Sequence, residues 1–320
     1  MQRRLQRLST RGAMYLVTNR ITGGSFVLGD HEKQRLRELI EDSQDRFAHK
    51  VWDLCLMDNH YHLLIEIPPN SEMSREEVLR CWLQIQSGRN PGDPGDAVLD
   101  AYRAKIHDLS GIVGNFQQRF SQWFNRQKGR WGKLFGAPFD SVLLDTYGSV
   151  GKAMAYITLN PVRAGMVSDP AEYHWCGYAE RMAKGRLRDD DHLLAPYLIG
   201  ELGLPQDLLD EPPDALLERL WKRFRESLLG HSLRFESSEL RTLADLLNAE
   251  DKPAEVDWPK LLQLQSRFVT KGLALGSQEF IEEVLQEHRV TLGYSNRRQP
   301  LQTRAWDGIY SLKNHRKWIS

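Results

Sequence analysis

The order of apolar and polar residues predicts a mixed α+β domain in the first half of the chain. Apolar runs of strand length occupy four segments, at 14–18, 51–56, 60–67 and 141–145. Apolar residues recur at helical spacing over 31–47, 109–127 and 147–160, and we expect Pro161 to stop the last of these helices. The order β, α, β, β, α, β, α predicts a ferredoxin-like (split βαβ) sandwich, with an antiparallel sheet and helices on one face.

Two further segments complete the predicted domain organisation. The sequence Ser-Gly-Arg-Asn-Pro-Gly-Asp-Pro-Gly-Asp at 87–96 is rich in helix and strand breakers, so we predict a loop insertion over about 70–108. Past residue 186 the apolar pattern becomes helical in short segments, at 193–198, 215–229, 237–248, 258–269 and 277–287. We therefore predict two domains, residues 1–186 and an all-helical domain of residues 187–320. A basic tail at 295–317 either packs on the body or forms an arm for nucleic acid.

The charge of the chain is balanced overall but unevenly distributed. There are 43 basic and 43 acidic residues, yet residues 1–20 hold five arginines and no acidic residue. Residues 187–257 hold eight basic against seventeen acidic residues, and residues 289–318 hold seven against one. Because a polyanion responds to the local field of one face, a neutral total does not argue against nucleic-acid binding.

Membrane and disulfide proteins are not indicated by the composition. No apolar run approaches the roughly 20 residues that span a bilayer, and the arginine-rich N-terminus lacks the apolar core of a secretory signal. We expect a cytoplasmic protein with no membrane contact. The three cysteines, Cys55, Cys81 and Cys176, are scattered, which predicts neither a disulfide framework nor a thiolate zinc site.

Two histidines at the start of the third predicted strand are the first candidate site. In Met57-Asp58-Asn59-His60-Tyr61-His62, the residues His60 and His62 are two apart, so in a strand both imidazoles project from one face. Tyr61 points to the opposite face, with the core-forming residues. A pair of this kind can hold a metal ion, but it is equally consistent with two histidines that are only hydrogen-bonded.

A second pair of candidate residues lies in the last predicted helix of the first domain. Tyr156 and Asn160 are four residues apart and therefore share one helix face. An amide oxygen is a hard ligand that suits magnesium or manganese and would complement two neutral imidazoles. The alternative is a core tyrosine and an asparagine that caps the helix before Pro161.

Taken together, these motifs resemble the single-tyrosine HUH transposases, in particular the branch of REP-associated tyrosine transposases. The resemblance covers roughly residues 12–182, without the insertion. It rests on these blocks: Met57-Asp58-Asn59-His60-Tyr61-His62, Trp123-Phe124-Asn125-Arg126, Gly132-x-Leu134-Phe135, Ser141-Val142-Leu143-Leu144, Tyr156-Ile157-x-x-Asn160-Pro161-Val162-Arg163-Ala164-Gly165, and Tyr173-x-Trp175-Cys176-x-Tyr178.

The resemblance implies a role for each matched residue. His60, His62 and Asn160 would bind a divalent metal, magnesium or manganese, and Tyr156 would attack a phosphodiester of single-stranded DNA. The product would be a 5′-phosphotyrosyl link with a free 3′-hydroxyl, and a second strand could reverse the step without an external energy source. The expected function is that of a DNA-nicking and joining enzyme, a transposase, working as a monomer or a homodimer.

Binding of single-stranded or hairpin DNA is expected to use basic and aromatic side chains near the end of the long helix. Backbone neutralisation combined with base stacking is the usual way to hold a single strand. The aromatic residues Phe116, Phe120 and Phe124 recur at helical spacing and favour the core, whereas Trp131 lies in a glycine-flanked turn. The predicted DNA-binding residues are Arg126, Lys128, Arg130, Trp131, Lys133 and Arg163.

One alternative to the transposase remains open, and a second is disfavoured by the motifs. A non-cleaving hairpin-binding protein derived from a transposase is favoured by Pro138-Phe139-Asp140-Ser141, because many members of the family have Arg-Phe-Lys-Ser there. The proline and the carboxylate replace cationic groups, which would weaken phosphate binding. A two-histidine RNA phosphodiesterase is disfavoured, because it would need two His-x-Thr or His-x-Ser motifs.

Overall fold

The structure is a computed structural model that describes most of the chain. The described residues are 13–68, 73–86, 92–136, 138–145, 149–184, 191–202, 206–210, 216–217, 219–224, 272–292, 299–302 and 308–313. They fall into two compact units: the first comprises Met1–Asp145 and Phe268–Ser320, the second Thr146–Arg267. The predicted boundary after residue 186 does not coincide with this division.

The helices and strands follow the predicted order in the first half of the chain, with later additions. They are β1 (Ala13–Arg20), α1 (Asp30–Arg46), β2 (Lys50–Leu56), β3 (His60–Ile67), α2 (Arg75–Ile85), α3 (Asp96–Ile106), α4 (Leu109–Gln127), β4 (Asp140–Leu144), α5 (Ser149–Arg163), α6 (Gly177–Lys184), α7 (Ala195–Glu201), β5 (Gly272–Gly276), α8 (Gln278–Leu292), β6 (Leu301–Gln302) and β7 (Tyr310–Lys313).

The first unit is built on a seven-stranded sheet with the order β2-β3-β1-β4-β5-β7-β6. Strands β2, β3, β1 and β4 pair antiparallel, which confirms the predicted ferredoxin-like core. Strand β5 pairs parallel to β4, and β7 and β6 continue the sheet antiparallel. The fold is therefore α+β, as predicted, with a sheet larger than the sequence pattern indicated.

The alternating burial of β3 separates the two faces of this sheet. Tyr61 is fully buried, packs edge-on against Phe116 of α4 with ring centroids 5.8 Å apart, and accepts a hydrogen bond from Gln117. Helices α1 and α4 pack against each other, and their buried apolar residues include Leu36 and Phe120. His60 and His62 alternate with Tyr61 and therefore lie on the opposite face.

The prediction of an all-helical second domain is wrong. Residues 272–276, 301–302 and 310–313 are strands of the first unit's sheet, and α8 packs on them through a cluster of buried apolar residues. That cluster contains Ala274, Ile281, Val284, Leu285 and Leu312. Of the two interpretations of the basic tail, the described part (299–302 and 308–313) supports packing on the body.

The link between β5 and α8 depends on Gly276. A Cβ at this position would lie 2.3 Å from Cβ of Asp145 and 2.7 Å from the ring of Phe280, closer than real contacts allow. The Asp145 carboxylate also accepts a hydrogen bond from the backbone N–H of Ser277, at 3.0 Å. The close approach of these backbones therefore joins the C-terminal part of the chain to the end of β4.

The predicted loop insertion is also partly wrong, since two helices, α2 and α3, lie within it. Ser74 caps α2, because its hydroxyl accepts from the N–H of Glu77 while the Glu77 carboxylate accepts from the N–H of Ser74. This reciprocal pair satisfies two backbone donors at the start of the helix. The breaker-rich sequence lies between the two helices, and residues 87–91 are outside the described part.

The second unit contains α5, α6 and α7 among its described residues. Helix α5 extends to Arg163 and includes Pro161. The prediction that Pro161 stops this helix is therefore wrong, because the helix continues for most of a turn beyond Asn160. Proline in the last turn removes only its own N–H, while the carbonyls of Asn160 and Pro161 still accept from Ala164 and Met166, both at 3.0 Å. The described residues 216–217 and 219–224 are helical, as predicted, whereas the predicted helices at 237–248 and 258–269 lie outside the described residues.

None of the described helices has the length and apolar character that crossing a bilayer requires.

Candidate metal and DNA site

The histidine pair lies on adjacent same-face positions of β3, as predicted. The imidazole centroids of His60 and His62 are 5.0 Å apart, with ring planes nearly perpendicular at 89°. His62 is buried, with 2% of its surface exposed, whereas His60 is partly exposed. The two imidazoles are therefore close neighbours on this face of the sheet.

The orientation of His60 is set by Asn59. The Nδ2 group of Asn59 donates to the carbonyl of Gly24 at 2.9 Å, which leaves Oδ1 to face His60. That oxygen lies 2.6 Å from Nδ1 of His60, and an amide oxygen can only accept, so Nδ1–H of His60 is the donor. The lone pair of the neutral ring is then on Nε2, the arrangement that a metal ligand requires.

His62 is held by Thr18 of the neighbouring strand. The Thr18 hydroxyl lies 2.8 Å from Nδ1 of His62. Because a hydroxyl can donate or accept, this bond is compatible with either tautomer. In the antiparallel registers, Thr18 is the partner of His62 on one side and of Asp140 on the other, so all three side chains lie on one face. The carboxylate of Asp140 therefore belongs to the histidine face of the sheet.

The residues before the histidines serve to fix the motif in the fold. The Asp58 carboxylate accepts from Nζ of Lys33 at 2.6 Å, and the Lys33 side chain is only 5% exposed. The carbonyls of Asp58 and Asn59 accept from the N–H groups of Leu28 and Ile21. The Met-Asp-Asn segment thus attaches β3 to α1 and to the loop that follows β1.

The tyrosine and asparagine lie one turn apart on α5, in the second unit. The side chain of Asn160 is buried, and its Nδ2 donates to the carbonyl of Tyr156 at 3.2 Å, so its Oδ1 is turned away from that bond. The guanidinium carbon of Arg163 lies 4.8 Å from the ring centroid of Tyr156. Nε and Nη1 of Arg163 are buried and form no hydrogen bond with described residues. A cation therefore accompanies the phenol on its own helix.

The donor types of the predicted ligand set fit a divalent cation. Neutral imidazole nitrogens and an amide oxygen suit magnesium or manganese and leave positions for water or phosphate. Within the described residues, no group of three or more His, Cys, Asp or Glu side chains is placed to hold a metal. The predicted ligand set contains only two side chains of those types, His60 and His62, and takes its third ligand from Asn160.

The basic segment after α4 is exposed, whereas its aromatic neighbours in the helix are not. Trp131 is 78% exposed, while Phe116, Phe120 and Phe124 are buried, as their helical spacing predicted. The side chains of Arg126, Lys128, Arg130 and Lys133 are exposed in the same stretch.

Contacts with α1 and α4 hold part of this segment in place. Nζ of Lys128 lies 2.9 Å from the Glu32 carboxylate. Burial raises the pKa of Glu32, but hydrogen bonds from Lys128 and from backbone N–H groups outweigh burial, so the net pKa is lowered. The side-chain amide of Asn125 donates to the carbonyl of Gly132 at 2.8 Å, and the backbone carbonyl of Asn125 accepts from the N–H of Arg130. The turn that presents Trp131 is therefore anchored to the end of α4.

Comparison with known proteins gives one match to a protein family. Residues 14–76, which include His60 and His62, match the model of the family described as "Transposase IS200 like". This match confirms, over this stretch, the predicted resemblance to a transposase. None of the curated proteins matches the chain. The IS200-like stretch ends before α4 and α5, so it contains neither the basic segment nor Tyr156.

A solved structure is also similar to this chain: a REP-associated tyrosine transposase bound to a REP hairpin. The identity is 14%, the alignment covers 58% of this chain and 89% of that one, and the TM-score is 0.41.

The contacts made by Thr18 and Asn59 were not predicted from the sequence. Asn59 precedes the first histidine directly, which is a local signal. Thr18 is 44 residues from His62, and only the register between β1 and β3 shows that the two meet.

Proposed function

We propose that this protein is a metal-dependent single-strand DNA endonuclease and strand transferase of the transposase type. The observation that carries the proposal is the oriented histidine pair within the IS200-like stretch. The two imidazoles lie on one sheet face, and each has its Nδ1 engaged by a neutral protein group, Asn59 for His60 and Thr18 for His62. The bond to Asn59 places the proton of His60 on Nδ1, so Nε2 is the acceptor nitrogen of the ring, as a metal-binding histidine requires.

The proposed reaction uses the phenol of Tyr156 as nucleophile. Its oxygen forms a bond to phosphorus, the bond from phosphorus to the 3′-oxygen breaks, and the phenolic proton passes to solvent or a base. The downstream strand is left joined to Tyr156 through its 5′-phosphate, and the 3′-oxygen leaves as a hydroxyl after taking up a proton. Attack by the 3′-hydroxyl of another strand reverses these steps and joins the strands, because the ester retains the bond energy.

Chain residues supply binding and charge for this step. His60, His62 and Asn160 would hold the divalent metal, which when bound polarises the scissile phosphate as a Lewis acid. Arg163 adds a positive charge beside Tyr156, where the non-bridging oxygens of the phosphotyrosyl ester gather negative charge. Arg126, Lys128, Arg130 and Lys133 would neutralise the backbone of single-stranded or hairpin DNA, and Trp131 would stack on a base.

A second candidate function, a hairpin-binding protein that does not cut, is favoured by Asp140. Its carboxylate lies on the histidine face, on strand β4, where Asp140 pairs directly with Thr18 of β1. There its negative charge would repel the phosphates of a bound strand. Binding would then depend on the exposed basic segment alone.

Cleavage of a labelled oligonucleotide separates the two functions. We expect wild-type protein to cut single-stranded DNA with magnesium or manganese and not with excess chelator. His60→Ala and His62→Ala should each lower the cleavage rate by at least about a hundredfold while leaving DNA binding within about twofold. Binding without metal-dependent cleavage in the wild type would favour the second function, and full cleavage by His60→Ala would refute the metal site.

A further inference from the structure

Phe26 is an exposed aromatic residue in the loop between β1 and α1. We name residues 21–28 the Phe26 loop. Phe26 is 79% exposed and Trp131 is 78% exposed, whereas no other large exposed hydrophobic residue in the described part of the chain exceeds 49%. Two aromatic rings are therefore exposed to solvent, although the hydrophobic effect favours the burial of such rings.

The Phe26 loop is attached at both ends to the histidine motif. The N–H of Ile21 donates to the carbonyl of Asn59 at 2.8 Å, and the N–H of Leu28 donates to the carbonyl of Asp58 at 3.0 Å. The carbonyl of Gly24 accepts from the side chain of Asn59, the residue that orients His60. Ile21 and Leu28 are buried, so the loop is anchored by its ends and presents Phe26 beside the start of β3.

The same loop is also bonded to the segment that carries Trp131. The N–H and the hydroxyl of Thr22 both donate to the carbonyl of Leu134, each at 2.8 Å. Ile21 and Phe135 form an antiparallel bridge. The Phe26 loop therefore lies between the histidine motif on one side and the Trp131 segment on the other, connected to both by backbone hydrogen bonds.

The surroundings of the two rings are cationic. Arg126, Arg130 and Lys133 are exposed in the Trp131 segment, and Arg20, at the end of β1, is exposed opposite His60 in the strand register. Positive charges interleaved with exposed aromatic faces match a ligand with phosphates and flat bases. A second copy of this chain would bring the same cations against these, so mutual repulsion disfavours a dimer through this surface.

We propose that Phe26 is a base-stacking residue that, together with Trp131, holds unpaired nucleotides of DNA next to the histidine pair. The Phe26 loop would align the strand between the basic segment and His60, so that the two rings engage bases while the cations engage phosphates. This inference rests on the proposed function in that its ligand is the same single-stranded DNA. It adds a stacking position that the sequence motifs do not include.

Binding measurements on ring variants test the proposal. Fluorescence anisotropy with a labelled single-stranded oligonucleotide should show Phe26→Ala weakening binding by about five- to a hundredfold, the range for loss of one stacked base. Phe26→Trp should restore affinity to within about threefold of wild type, and Phe26→Leu, apolar but without a π face, should not. Leu83→Ala, an exposed apolar residue of α2, is the matched control and should bind like wild type.

The salt dependence of binding separates stacking from charge. Phe26→Ala removes no charge, so the slope of log affinity against log salt should be that of wild type, whereas Lys133→Ala should reduce its magnitude by about 0.7. Photo-crosslinking to an oligonucleotide that contains 5-iodouracil should label Phe26 or Trp131.

Three results have distinct meanings. If wild-type protein does not bind single-stranded DNA, the proposed function fails and this inference with it. If wild type binds and both Phe26→Ala and Phe26→Leu bind equally well, with no crosslink in the Phe26 loop, only the stacking role is overturned. If Phe26→Ala abolishes self-association without changing DNA affinity, the ring belongs to a contact between copies and the stacking role is again overturned.

Discussion

Replacing Asn59 by alanine should disturb the histidine pair without removing any proposed metal ligand. The Asn59 side chain makes two bonds of opposite direction, accepting from Nδ1–H of His60 at 2.6 Å and donating to the carbonyl of Gly24 at 2.9 Å. Alanine removes both bonds. The imidazole of His60 then loses the partner that keeps its proton on Nδ1, and the Phe26 loop loses one of its connections.

The expected size of each effect follows from these two bonds. Loss of an orienting partner of a metal-bound histidine lowers metal affinity by about 10- to 100-fold, which is about 1.4 to 2.7 kcal/mol. Loss of two partly buried hydrogen bonds lowers the free energy of unfolding by about 1 to 2 kcal/mol. Asn59→Asp retains the acceptor for His60 and loses only the donor to Gly24, so its metal affinity should stay within about threefold of wild type.

Two measurements check this prediction. Isothermal titration with Mn²⁺ gives the metal affinity of wild type, Asn59→Ala and Asn59→Asp. Proton–nitrogen correlation spectra of the metal-free proteins report the His60 tautomer, with His60→Gln used for assignment. We expect the Nδ1–H form in wild type and Asn59→Asp, and an increased share of the Nε2–H form in Asn59→Ala. Unchanged Mn²⁺ affinity and an unchanged tautomer in Asn59→Ala would refute the reasoning.

Three further predictions concern stability and charge. Burial lowers the pKa of His49 to about 4, so the contribution of neutral His49 to stability is complete above the unfolded-state pKa of ~6.5 and is lost as the pH falls toward 4. The free energy of unfolding from urea titrations should therefore be about 2 kcal/mol lower at pH 5 than at pH 7, and His49→Gln should remove that difference. Gly276→Ala should lower the free energy of unfolding by about 1 to 3 kcal/mol, because the added Cβ would clash with Asp145. As a control, Gly114→Ala in α4, where the added Cβ meets open space, should raise the free energy of unfolding by about 0.5 to 1 kcal/mol. Equal effects of the two substitutions would contradict this account of Gly276. Asp140→Lys should strengthen single-strand binding about five- to tenfold at 0.1 M salt in anisotropy titrations, and no change would show that the carboxylate does not face the bound strand.

The ferredoxin-like core could be predicted because its signals are local and strong. The apolar runs of β1 to β4 and the helical period of α4 are each readable within one window of the sequence. The histidine pair also needs only the two-residue period of a strand, which fixes both rings on the face opposite Tyr61. The cap of α2 at Ser74 and Glu77 was a local signal as well, and it was obscured by the breaker-rich sequence that follows.

The extension of the sheet could not be predicted, because its cause is not local. The segment Gly272–Gly276 reads Gly-Leu-Ala-Leu-Gly, without β-branched or aromatic residues, and becomes a strand by pairing with β4, whose residues lie about 130 positions earlier. The support of His62 by Thr18 and the place of Asp140 on the same face depend on strand register in the same way. The position of Phe26 beside the histidine motif depends on hydrogen bonds between loops, which leave no periodic signal.

The central claim is that Tyr156 becomes joined to the 5′-phosphate of a cut strand. Protein incubated with magnesium or manganese and a single-stranded oligonucleotide, labelled at its 3′ end in one sample and its 5′ end in another, gives the most direct measurement. We expect a denaturation-resistant adduct that retains the 3′ label only, maps to Tyr156 by peptide mass spectrometry and is absent in Tyr156→Phe. An adduct of undiminished yield in Tyr156→Phe, or one that carries the 5′ label, would contradict the account.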